Sequence, residues 1–209
     1  MAILPQIPGL CVSIRVADEP AEEYHPPHIT PIRDPEIGDV VPTTHCFIES
    51  QTGKNFCIRY RFCPLFTFPD GSDAIMLTFF IDGIVCQHLV LIQEDLDRAQ
   101  DYIQDMWFRS VEKGNGRSEN YSLMFQEIAP VEEAKRATVV SDLKRVKDLG
   151  TIKVMISFGK TSEGPGRYDL SDERNNESLH VAQKALVLEG QEKTHGTRHV
   201  DIPSRESNS

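Results

Sequence analysis

The chain has 209 residues, 32 of them acidic and 22 basic, and a formal net charge of −10 at neutral pH. This length suits one ordinary domain with tails, and 39% hydrophobic residues supply a core diluted by polar ends. An acidic surface disfavours direct nucleic-acid binding, and no run approaches the ~20 apolar residues that cross a bilayer, so a membrane role is not expected either.

Leu10–Val16 alternates apolar and polar residues after the Pro8-Gly9 turn and reads as the first strand. Upstream, Pro5, Pro8 and Gly9 interrupt any apolar stretch and no basic leader is present, so a signal peptide is not expected. Residues 19–40 carry six carboxylates (Glu19, Glu22, Glu23, Asp34, Glu36, Asp39) and five prolines, against the single base Arg33. Proline removes backbone donors and like charge extends a chain, so this is expected to be a long acidic, proline-rich surface loop.

From Val41 to Ile92 the alternation is continuous. Thr44–Ser50, Asn55–Cys63, Ala74–Ile81 and Ile84–Ile92 read as half-buried antiparallel strands. Their joins are Gln51–Lys54, Phe68–Gly71 and Asp82-Gly83, the last expected to be a type I′ turn. Residues 93–107 admit two readings. Glu94, Asp97, Asp101 and Asp105 would form one acidic stripe on a helix. The favoured alternative is a short turn, then a strand Tyr102–Glu112 paired with Tyr121–Ile128 across Gly114-Asn115-Gly116.

Ser141–Leu149 has the marks of a short helix: Ser141 as N-cap, basic residues near its end and Gly150 to stop it. Lys144, Arg145 and Lys147 there read as a solvated helix end. Thr151–Phe158 is the clearest strand in the chain. Beyond residue 160 the chain is polar and rich in glycine, and a largely disordered tail 161–209 is expected, with a short helix near 180–188 able to dock. The expected fold is therefore all-β to α+β: a two-layer antiparallel β-sandwich of seven or eight strands over residues 1–160, one short helix, and a flexible C-terminal tail.

Four stretches resemble a family of fungal proteins catalogued as a domain of unknown function. They are Ala2–Leu10, Phe47-Ile48-Glu49-Ser50 with Gly53 and Phe56, Leu149–Ile152, and Gln183–Leu186 followed by Thr194–Thr197. The resemblance implies a compact β-rich domain with a flexible tail; it brings no activity, substrate or catalytic residue. Family members usually continue past the Thr-His-Gly region into another strand, whereas this sequence stops at Ser209.

Cys11, Cys46, Cys57, Cys63 and Cys86 are odd in number and fit no zinc module or redox pair, so reduced, buried thiols are expected. His195 and His199 have the i, i+4 spacing of a zinc pair, but Gly196 and Thr197 disfavour a helix. The prolines between His25 and His28 splay those rings. Asp70 and Asp73 lack the later carboxylates of a calcium loop and read as turn residues. Neither metal nor cofactor is expected. The least implausible catalytic pair is Cys86 and His88, two apart and so on one face of a regular strand. The candidate binding residues are Phe66 and Phe68, in an aromatic knot with Phe62 and Leu65, and the carboxylates Glu94, Asp97, Asp101 and Asp105. The expected function is a non-enzymatic protein-interaction or scaffold module in the cytoplasm or nucleus, with another protein as partner. The alternative is a small β-fold enzyme or ligand-binding protein with a pocket between the sheets.

Overall fold

The computed structural model describes residues 2–26, 32–33, 40–96, 99–113, 117–131, 142–143, 146–161, 180–182 and 195–201. Among these, the strands in chain order are Ala2–Ile3 (β1), Leu10–Val16 (β2), Glu19–Pro20 (β3), Glu23–Tyr24 (β4), Ile32–Arg33 (β5) and Val40–Val41 (β6). Phe47–Ile48 (β7), Phe56–Phe62 (β8), Ala74–Ile81 (β9), Ile84–Ile92 (β10), Tyr102–Met106 (β11) and Phe108–Lys113 (β12) follow. Arg117–Glu127 (β13), Ala129–Val131 (β14), Ile152–Gly159 (β15), His180–Ala182 (β16) and His195–Asp201 (β17) complete them.

The expected β-rich sandwich is present, with mostly antiparallel pairing. One sheet has the order β1-β2-β8-β11, with β3 paired to β2; a second is β10-β9-β15; a third is β12-β13-β17. Alternation in β8 sends Phe56, Ile58, Tyr60 and Phe62 inward and leaves Cys57, Arg59 and Arg61 on the outer side. In β9 the inward set is Ile75, Leu77, Phe79 and Ile81, each almost fully buried. The two sets meet in one core that also takes in Leu123 and Phe125 of β13. Tyr60 lies 5.7 Å from Phe79 between ring centroids, and Phe56 stacks on Phe125 at 4.5 Å. Burying each such side chain contributes about 1.5–3 kcal/mol, so this aromatic seam is the main cohesive element.

Sequence neighbours in the central block do not all become sheet neighbours. β9 and β10 form a hairpin at Asp82-Gly83, and both residues have positive φ, as a type I′ turn requires. β8 instead pairs with β2 and β11, and β7 pairs with β4. The strand expected over Tyr102–Glu112 breaks at Trp107, so β11 joins the first sheet and β12 forms the hairpin with β13. Residues 93–107 are thus not one helix: a 3-10 turn at Gln93–Asp95 precedes β11.

Residues 142–143 and 146–148 are helical, and Gly150 has the positive φ expected of a helix stop. The helix expected at 180–188 is not formed at its start, because His180–Ala182 is extended and pairs in parallel with β14; 183–188 lie outside the described residues. Two valines and no cap in His180–Leu188 left helix and strand close in propensity, and an available strand partner decides the outcome at its start. β17 pairs with β13 over Tyr121↔Asp201 to Glu127↔His195, so this part of the expected tail is a sheet strand.

Candidate functional site

The Cys86–His88 pairing does not survive the fold. The β9–β10 register shifts between Val85 and Gln87, which makes Cys86 the extra residue of a β-bulge. A bulge reverses the parity on which the shared-face expectation rested. Cys86 enters the core at 5% exposure, and its Sγ–H donates to the Ile84 carbonyl at 3.5 Å. His88 stands opposite Thr78 on the other side of the sheet and shares a 2.9 Å hydrogen bond with its hydroxyl. Burial pushes the Cys86 thiol up to about 12 and the Cys57 thiol up to about 11. Thiols so raised carry almost no thiolate near neutrality and make poor nucleophiles.

The aromatic knot is core. Phe66 packs edge-on against Phe62 at 4.8 Å and against Phe68 at 5.2 Å, and faces Phe158 at 6.5 Å. Gly9 permits this: its φ is +89°, and a Cβ there would lie 2.4 Å from the Phe66 backbone nitrogen. Only Leu65 of that group stands well out into solvent.

The acidic stripe is dispersed. Asp105 on β11 takes two hydrogen bonds from Arg59, Nε–H to Oδ1 at 2.7 Å and Nη2–H to Oδ2 at 2.6 Å. Arg61 holds Asp101 at 2.6 Å, Glu94 is exposed in the 3-10 turn, and Asp97 lies outside the described residues. Strand pairing, invisible to a helical reading, set two of the four carboxylates against arginines of β8.

The remaining pairs separate as well. His25 lies 3.7 Å from Glu23, and His28 falls outside the described residues. His195 and His199 occupy a strand, where i, i+4 residues stand about 13 Å apart along the chain axis. Asp73 acts as a turn residue, its carboxylate accepting from the Thr161 N–H at 2.6 Å and the Thr161 hydroxyl at 2.9 Å. Among the described residues no cluster of three His, Cys, Asp or Glu side chains could hold a metal.

One surface was missed. The two-residue ladder of β4 and β7 sets Tyr24 opposite Phe47 and Glu23 opposite Ile48. Ile48 packs on the core, so parity turns Phe47 and Tyr24 to solvent at 63% and 52% exposure. His45 meets Phe47 edge-on at 6.2 Å. The Tyr24 hydroxyl donates to the Glu22 carboxylate, which raises its pKa, and Glu49 adds to that field. Beneath, burial and then a hydrogen bond with Glu23 raise the Cys46 thiol. The outcome is an exposed aromatic pair bordered by carboxylates. The alternation of Thr44–Ser50 already placed Phe47 out of step with Cys46 and Ile48, but its partner could be known only from pairing with the acidic loop.

The family model described as "Domain of unknown function (DUF7918)" matches residues 9–207. No curated protein and no solved structure matches the chain. The match spans β2 to β17, nearly every element just described, and the chain accordingly belongs to the DUF7918 family.

Proposed function

We propose that the chain is a non-enzymatic protein-interaction module that binds a basic segment of another protein on the Tyr24–Phe47 ribbon. The observation that carries this reading is the cross-strand aromatic pair, more than half exposed and flanked by Glu22 and Glu49. Large aromatic rings held rigidly at a surface are favoured anchors at interfaces. Their faces attract lysine and arginine, and the carboxylates add complementarity for the same partner. The net charge of −10 supports a basic protein rather than nucleic acid as that partner, and the reading includes no membrane contact. Five free cysteines suit a reducing compartment, cytoplasm or nucleus. The competing reading, an enzyme or ligand-binding protein with a pocket between the sheets, has less support: Tyr60, Phe62 and Phe79 fill that interior, and His88 is turned to Thr78 rather than to Cys86.

The resemblance to fungal proteins makes a fungal extract the natural source for the test. Wild type and Phe47→Ser are immobilised at equal density, and retained proteins are identified and then titrated as purified species. A partner whose affinity falls at least tenfold in Phe47→Ser and weakens with salt is expected. Equal retention by the two proteins would remove the ribbon from the function.

A further inference from the structure

We infer that Arg109 anchors a small monovalent anion inside the fold, between the β10 bulge and the β12–β13 hairpin. Arg109 lies on the inward side of β12, opposite Tyr121, and is 3% exposed. Its Nη1 is wholly buried and has no hydrogen-bond partner among the described residues. A buried guanidinium N–H left without an acceptor is costly, so Nη1 calls for one. Among the described residues, Asp82, Glu119 and the buried Asp142 all have partners. Asp82 accepts from the Gly150 N–H at 2.6 Å, and Glu119 accepts from the buried Tyr121 hydroxyl at 2.5 Å. β10 touches β12, and there Cys86 feels the guanidinium, whose charge offsets part of the effect of burial on the thiol. One buried N–H donor without an acceptor suits a small anion such as chloride or formate.

The probe is chloride. Thermal unfolding of the full chain is followed while sodium chloride replaces sodium gluconate at constant ionic strength, gluconate being too large to be enclosed. A saturable rise in midpoint is expected, about 3–5 °C per tenfold chloride above its dissociation constant. Arg109→Met, close in volume and free of buried charge, should fold and lose the chloride response, while Arg109→Lys should retain part of it. Sodium formate in place of chloride should reproduce the wild-type rise. A wild-type midpoint indifferent to chloride and formate, or an equal response in Arg109→Met, overturns the inference. Should Arg109→Met fail to fold, the comparison of wild type with Arg109→Lys decides: equal dissociation constants would count against it.

Discussion

Arg59 and Asp105 form the best-defined ion pair on the outer side of the first sheet, joined by two hydrogen bonds across β8 and β11. Those bonds hold the Asp105 carboxyl below the usual carboxylate range, against a smaller opposing effect of burial. Because the folded value is depressed, the stabilisation is present above the unfolded value of about 3.9 and is lost as pH falls through the folded one. Both side chains are about one-third exposed, at 35% and 32%, so solvent screening keeps the gain modest, about 0.5–1 kcal/mol at neutral pH. Asp105→Asn should therefore lower the stability read from urea unfolding at pH 7 by that amount and converge with wild type as the pH falls through the depressed folded value. Urea titrations between pH 2 and 7 check this. Curves that stay parallel throughout would mean that the pair is geometrically tidy but energetically neutral.

At the scale of elements, the β9–β10 turn ties the second sheet to the short helical segment. Asp82 accepts from the Gly150 N–H at 2.6 Å, and the Asp82 N–H donates to Thr151 at 2.9 Å. Gly83 has φ of +76°, and a Cβ there would meet the Asp148 Cβ at 2.7 Å. Gly83→Ala should thus cost about 2–3 kcal/mol, combining left-handed strain with displacement of the helical segment. Gly53 has the same φ region at +77° with nothing within 4 Å, so Gly53→Ala isolates the backbone part, about 1 kcal/mol. Equal losses in chemical denaturation would show that the turn does not depend on its packing against Asp148. Elements of this kind were legible beforehand: the Asp82-Gly83 turn, Ala74–Ile81 and Ile152–Gly159 each carry their signal within a few residues. Gly9 and Gly150 stood out in the family-like motifs, and their positive φ explains why those motifs are structural. The rest depended on pairing between distant segments. Nothing local in Tyr102–Glu112 announces that Trp107 divides two sheets, and no pattern within 84–92 reveals the bulge that parts Cys86 from His88. The Tyr24–Phe47 pair was hidden for the same reason, since its two halves lie in segments read separately as loop and strand.

For the whole molecule, the decisive contact is the return of the chain after residue 160 to its third sheet. β17 lies along β13 for seven register pairs, and β13 in turn sends Leu123 and Phe125 into the central core. β13 has further ties of its own: Phe125 donates to the Lys54 carbonyl at 3.0 Å and accepts from the Gly53 N–H at 2.8 Å. Removal of β17 should therefore loosen the third sheet without dissolving the other two. A chain ending at residue 194 is expected to melt roughly 5–10 °C below the full chain, as several net hydrogen bonds of about 1 kcal/mol each are lost. The single tryptophan reports on this locally, because Trp107 sits where the chain crosses from the first sheet to the third and packs on Phe108 at 4.9 Å. Its fluorescence should change ahead of the calorimetric transition in the shortened chain and together with it in the full one. The aromatic ribbon belongs to β4 and β7 and shares no pairing with β17, so partner binding below the melting range should be kept. A midpoint unmoved by the truncation would make β17 a passive lodger on β13. A midpoint that falls while binding persists would separate the strand that closes the fold from the surface that serves it.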